Sequence, residues 1–246
     1  MELNKYIEHT NLNNTATLKD IESLCNEAIK YDFAAVCVYP YYVRLAKELL
    51  KDTNIEVCTV IGFPSGMSTR ETKVYEAIDA VEKGADMIDM VINVSALKNK
   101  DYEYVKEEIE EIRDAIDGKV LKVIIETNLL NDKEIIKATE ICNSCFVNYI
   151  KTCTGFTGGV EVDSVDIINK HKSDLVEIKA SGGIKSRKDL ITMIEAGASR
   201  IGTSHGVEII NDKGKYVLPL SLLFTLGLYS ENGRSISDRD AFIFYR

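Results

Sequence analysis

Histidine is scarce in this chain of 246 residues. His9, His171 and His205 are the only three, and they are widely separated. A metal centre built on clustered imidazoles therefore lacks its donors, and no metal is expected. No run approaches the ~18–20 apolar residues that a membrane helix needs, so no membrane association is expected. The opening MELNKYIEHT lacks a charged segment followed by an apolar one, and no signal peptide is expected. Lysine and arginine form no stripe, and the net charge is −9, which repels a polyanion; nucleic acid is not an expected partner. The dinucleotide fingerprint GxGxxG is missing from the first strand-to-helix turn, which counts against a Rossmann site.

Cysteine is present without a pattern. Cys25, Cys37, Cys58, Cys142, Cys145 and Cys153 lie irregularly, mostly in apolar segments, as buried thiols of a reducing cytosol do. Cys142 and Cys145 form a single CxxC inside KEIIKATEICNSC, which has helical spacing, so they read as core residues.

What the chain does have is alternation. Short apolar, β-branched runs recur at 6–10, 33–39, 56–63, 87–93, 121–127, 148–153, 176–181 and 200–204. Charged segments with helical periodicity lie between them. In TRETKVYEAIDAVEKG the spacing predicts a buried face of Val74, Ile78 and Val81, ended by Gly84; in DYEYVKEEIEEIRDAIDG it predicts Val105, Ile109, Ile112 and Ile116, ended by Gly118. Eight strand–helix units with continuously apolar strands predict an α/β fold, a single (β/α)8 TIM barrel with a short N-terminal helix. The barrel is expected over residues 1–216, with 217–246 as an atypical C-terminal extension, too short in its apolar part to span a bilayer.

Two apolar strands end alike. NYIKTCTGFTGG and VEIKASGGIKS each carry a lysine, Lys151 and Lys179, followed by small residues. Sites in this fold lie at the C-terminal strand ends. The two lysines either snorkel to water or share the barrel mouth, where like charges disfavour each other and one pKa falls towards neutrality. A neutral amine is what attack on a carbonyl requires. Asp89 is embedded in the strand MIDMVIN, whereas Asp86, at its start, reads as a surface or capping residue. An acid is rarely buried alone, so Asp89 either faces the two ammonium groups and relays protons or pairs with Lys122 of LKVIIET. Lys122 and Glu126 sit four apart on one predicted strand and share a face. Gly182 and Gly183 follow the seventh strand; Gly202, Thr203 and Ser204 follow the eighth. Loops after these two strands often bind phosphate, and glycine lets backbone N–H groups approach an anion.

Together YIKTCTGF, VEIKASGGIKS, MIDMVIN, LKVIIET, AAVCVYP, VIGFPSG and RIGTS resemble the deoxyribose-phosphate aldolase family over roughly residues 6–210. The resemblance implies a class I aldolase without cofactor or metal. Such enzymes cleave 2-deoxy-D-ribose 5-phosphate reversibly to acetaldehyde and D-glyceraldehyde 3-phosphate, in deoxyribonucleotide catabolism. It implies that Lys151 forms the Schiff base, that Lys179 lies beside it and lowers its pKa, and that Asp89 handles protons with water. By similarity Thr10, Asn13 and Cys37 line the sugar pocket, and Gly155 joins the phosphate loops. Many relatives have Asp-His-Thr where this chain has Glu8-His9-Thr10, some have a lysine at Phe156, and a smaller residue is expected at His205. Some use a C-terminal tyrosine, for which Tyr216 and Tyr245 are the candidates. A cytoplasmic enzyme is expected, acting on sugar phosphates and aldehydes; a homodimer or higher homo-oligomer fits such barrels. Three other readings compete: a sugar-phosphate isomerase using Glu126 as base, a binder without activity, and a metal-dependent aldolase. The first leaves the lysine pair unexplained, the second predicts the loss of a catalytic residue that is present, and the third lacks ligands.

Overall fold

A computed structural model describes residues 2–212 and 214, and residues 2–211 form one compact unit. The extension at 217–246, with Tyr216 and Tyr245, lies outside the described residues. A 3-10 turn at Leu3–Tyr6 leads into the first of eight strands: β1 (Ile7–Asn11), β2 (Ala35–Val38), β3 (Glu56–Ile61), β4 (Met87–Val91), β5 (Val120–Ile124), β6 (Tyr149–Lys151), β7 (Glu177–Ser181) and β8 (Arg200–Thr203). Each is parallel to its neighbours and β8 pairs back to β1, closing the barrel. The predicted (β/α)8 architecture is the observed one.

The helices ring the sheet. They are α1 (Leu18–Tyr31), α2 (Val43–Leu49), α3 (Arg70–Glu82), α4 (Val94–Lys98), α5 (Tyr102–Ala115), α6 (Asp132–Ser144), α7 (Val162–His171), α8 (Arg187–Glu195) and α9 (Gly206–Asn211). Capping boxes start three of them, pairing Thr17 with Asp20, Asn131 with Glu134 and Ser186 with Asp189. Each box satisfies two N–H groups that the first helical turn would leave orphaned. On α5 the expected residues Val105, Ile109, Ile112 and Ile116 are buried.

On α3 the expected face is wrong. Lys73, Ala77 and Ala80 are buried, while Ile78 is exposed and Val74 and Val81 are only half-buried. The reason is an ion pair that an apolar template does not register. Lys73 donates to Glu108 of α5 at 2.5 Å and to the Val91 carbonyl at 2.8 Å, and both charged side chains are fully buried. Glu108 in turn accepts from the Asn93 N–H at 3.0 Å. The pair ties two helices to the C-terminal end of β4. Removing one partner of such a pair typically costs about 3–5 kcal/mol.

The barrel interior is divided. Ala35, Cys37, Cys58, Val60 and Met87, from β2, β3 and β4, form an apolar cluster against which Leu12, Tyr39 and Phe63 pack. The other side, from β4 round to β1, is charged. All six cysteines are free and buried, and Cys142 and Cys145 sit in the packing of α6 as expected. No helix among the described residues is long and apolar enough to cross a membrane.

Candidate active site

Alternation along the strands decides what meets inside. Glu8 of β1, Asp89 of β4, Lys122 of β5, Lys151 of β6 and Lys179 of β7 all point into the barrel, and none exceeds 3% exposure. In register, Asp89 neighbours Lys122 and Lys151 neighbours Lys179. Asp89 Oδ2 accepts from Lys151 at 2.7 Å and from Lys179 at 2.6 Å. Its Oδ1 lies 3.3 Å from Lys122 and accepts from the Cys58 thiol at 3.0 Å. Glu8 divides itself likewise, with Oε2 on Lys179 and Oε1 3.3 Å from Lys122. Asp89, Lys179, Glu8 and Lys122 therefore form a closed ring of alternating charge. Lys151 hangs from it on Asp89.

The two options for Asp89 merge, since it contacts Lys122 and both strand-end lysines together. Asp86 is separate: half-buried, it binds Lys47 with both oxygens at 2.7 Å and accepts from the Val57 N–H of β3. Charge counting explains the ring. Within it two ammonium groups, Lys122 and Lys179, face two carboxylates, Asp89 and Glu8, and the sum is zero.

Burial alone would neutralise these groups, but their partners outweigh it. Burial pushes the Asp89 carboxyl up, yet Lys151, Lys179 and Lys122 hold it well below the usual carboxylate range. Glu8 is lowered against its burial by Lys122 and Lys179. Burial opposes the Lys179 charge, but Asp89 and Glu8 raise that ammonium well above the ordinary lysine value. Lys122 is raised in the same sense, against burial, with Cys58, Glu8 and Asp89 beside it. The hydrogen bond with Cys58 lowers Cys37, whereas burial and that same bond push Cys58 well up.

A cavity of about 640 Å³ opens above the ring at the C-terminal strand ends. Lys151 reaches it; Lys122 and Lys179 do not line it, and their side chains are wholly buried. One wall carries Gly155, Gly182, Gly183, Gly202, Thr203 and Ser204. Thr10 and Asn13 also line it. The Thr10 hydroxyl donates to the Glu8 carbonyl at 2.9 Å, and Asn13 Oδ1 accepts from the backbone and side chain of Thr15. Cys37 lies beneath, fully buried beside Cys58 and Asp89. The Thr203 hydroxyl donates to the Ile184 carbonyl at 2.6 Å, which joins the β8 loop to the β7 loop. Tyr39, Phe63 and Phe156 make successive edge-to-face contacts at 5.9 and 5.4 Å between ring centroids.

Two glycines matter for shape. Gly202 leaves room for Lys179: a Cβ there would lie 3.1 Å from Lys179 Cε and 3.0 Å from Ser181 Cβ. Gly182 has φ +102°, and a Cβ would stand 3.1 Å from the Gly158 carbonyl.

Cys37, Cys58 and Asp89 bring three donor atoms within 4.8 Å of one another, the spacing of a small metal site. A cation there would compete with Lys122, Lys151 and Lys179 for the same carboxylate, so the donor set does not fit one.

Glu8 and Lys122 complete the ring although the residue reading gave them lesser parts. The signal was available, because a charge inside an apolar strand singles them out as it does Asp89. Glu126 departs from expectation. β5 ends at Ile124 and Glu126 takes φ +56°, so it shares no face with Lys122. Its carboxylate instead accepts from Thr154 and Thr157.

This arrangement has relatives. Residues 3–212 match the model of the DeoC/LacD family aldolases. The chain belongs to that family. It is 53% identical over 211 residues to the deoxyribose-phosphate aldolase of Finegoldia magna, covering 85% of this chain and 99% of the relative. It is 49% identical over 215 residues to the deoxyribose-phosphate aldolase of Caldicellulosiruptor saccharolyticus, covering 86% and 98%. Among solved structures, the tetrameric deoxyribose phosphate aldolase of Aeropyrum pernix superposes with a TM-score of 0.79 at 33% identity, covering 84% of this chain and 88% of that one. As a member of an aldolase family, the chain is a carbon–carbon lyase.

Proposed function

We propose that the chain cleaves 2-deoxy-D-ribose 5-phosphate reversibly to acetaldehyde and D-glyceraldehyde 3-phosphate through a Schiff base on Lys151. The observation that carries this reading is the exposure of Lys151 alone, among the three clustered lysines, to the cavity. Its free amine adds to the C1 aldehyde of the open-chain sugar, and loss of water gives an iminium ion. The iminium accepts the electron pair of the breaking C2–C3 bond, forming an enamine. The C3 hydroxyl loses its proton as the bond breaks, and glyceraldehyde 3-phosphate leaves. Asp89 takes that proton through a water and returns one to C2 of the enamine. Hydrolysis then frees acetaldehyde and Lys151. Lys179, held cationic, keeps Asp89 ionised before the first transfer and returns it to that state after the second. The wall of Gly155, Gly182, Gly183 and Gly202, with Thr203 and Ser204, suits the phosphate. The Thr203 hydroxyl is already committed to Ile184, so backbone N–H groups and the Ser204 hydroxyl are the donors in this reading. Thr10, Asn13 and Cys37 belong to the sugar side. The curated relatives bearing this activity, matched over almost their full lengths, support the substrate. A cytoplasmic homo-oligomer is part of the same reading, supported by the tetrameric relative.

The test is trapping with acetaldehyde and borohydride, followed by peptide mapping. A two-carbon adduct on Lys151, lost in Lys151→Ala, is expected. An adduct on Lys179 instead would exchange the two lysine roles. No adduct from a protein that binds deoxyribose 5-phosphate would leave a binder without activity.

A further inference from the structure

Five described residues other than glycine have positive φ: Asp32, Lys100, Asp117, Glu126 and Phe146. Four of them end helices α1, α4, α5 and α6, where a left-handed residue stops the helix. Glu126 does not. It follows strand β5, at φ +56° and ψ +64°, and is 2% exposed. A strained conformation in a long charged residue persists only where its surroundings hold it.

Those surroundings are the loop that follows Lys151. The Thr154 N–H is shared between the two oxygens of Glu126 at 3.2 and 3.3 Å. The Thr154 hydroxyl donates to one oxygen at 2.5 Å, and the Thr157 hydroxyl donates to the other at 2.8 Å. Beyond these threonines the loop stacks on the next one. The Val160 N–H donates to the Gly182 carbonyl at 2.9 Å, and an added Cβ on Gly183 would stand 3.2 Å from Gly159 Cα. Thr154 and Gly155 line the cavity; Glu126 does not.

We infer that Glu126 is a positioning residue whose carboxylate clamps the Thr154–Thr157 loop and so sets the backbone donors of Gly155 and the stacked Gly182–Gly183 turn for the substrate's phosphate. This rests on the function proposed above. It gives Glu126 a part other than general base: its oxygens are occupied and lie outside the cavity. A glutamine cannot reproduce the clamp, because one of its two terminal atoms is itself a donor facing the shared Thr154 N–H.

The test compares wild type, Glu126→Gln and Thr157→Val on 2-deoxyribose 5-phosphate and on 2-deoxyribose, with binding of inorganic phosphate by titration calorimetry. Loss of a charge-assisted bond predicts that Glu126→Gln raises KM for the phosphorylated sugar and weakens phosphate binding, each about tenfold. The turnover number and the efficiency on 2-deoxyribose should stay within about threefold on the same grounds. Thr157→Val, which removes one outer bond, should move the same quantities a few-fold and carries the test if Glu126→Gln does not fold. Equal losses on both sugars, or unchanged phosphate binding, would overturn the inference. If wild type cleaves neither sugar, the proposed function fails, while calorimetry still decides whether Glu126 sets the phosphate site.

Discussion

Lys151 and Lys179 are register neighbours on adjacent strands and donate to the same oxygen of Asp89, at 2.7 and 2.6 Å. One oxygen thus serves the lysine that reaches the cavity and the lysine that does not. Any change of charge at Asp89 therefore acts on both.

Gly202 sets the place of Lys179. In Gly202→Ala the new methyl meets Lys179 Cε and Ser181 Cβ at 3.1 and 3.0 Å, and the buried lysine has to give. A displaced second lysine disturbs Asp89 without removing a charge. Turnover should fall about tenfold or more, since a small misplacement of a catalytic group carries such a cost, while the melting temperature falls by only a few degrees. Steady-state kinetics beside a thermal melt checks this; unchanged turnover would show that the lysine tolerates the shift.

The ring of Asp89, Lys179, Glu8 and Lys122 predicts non-additive stability. Lys122→Met leaves Glu8 and Asp89 short of a partner, and Glu8→Gln leaves Lys122 and Lys179 likewise. Each single change should cost about 3–5 kcal/mol, as the loss of one member of a buried pair does. The double variant removes one charge of each sign and should cost clearly less than the sum. Urea unfolding of the four proteins measures the coupling, and strict additivity would mean that the ring is not a unit.

Acid stability follows from the same carboxylates. Asp89 and Glu8 are depressed from ordinary values of 3.8 and 4.5. A depressed group adds stability that is present above its unfolded value and is lost as pH falls through its folded value. Wild type should therefore hold its stability from this cluster down to about pH 4.5 and lose it steeply below. Asp89→Asn starts lower and should show a shallower acid slope. On the alkaline side, Lys179 is raised above 10.5, so its contribution is present below that value and is lost as pH rises through the higher folded one. Urea midpoints of both proteins across the acid range test the sign; equal slopes would place the proton uptake elsewhere.

Much of this was written in local pattern. The eight apolar runs and their spacing gave the barrel, because a strand buried on both faces must be apolar along its length. Asp89, Lys151 and Lys179 stood out because they interrupt that pattern, and Glu8 and Lys122 interrupt it in the same way. The contact between Glu8 and Lys179 was not legible: 171 positions separate them, and only barrel closure brings them together. On α3 the helical period was right and the face was not, since Lys73 is polar to any sequence scale and its burial rests on Glu108 and the Val91 carbonyl. Glu126 was misread for a related reason. A strand pattern cannot announce the one residue at which the backbone turns left-handed.

The charged ring joins the first strand to the seventh. A ribosome releases Glu8 and Asp89 before any of their lysines, and the set of counter-ions is complete only when Lys179 has followed Lys122 and Lys151. A half-made chain has every reason to keep that interior wet. The charged cluster is thereby tied to completion of the chain: its last counter-ion, Lys179, comes only with the seventh strand, when nearly the whole barrel has been translated.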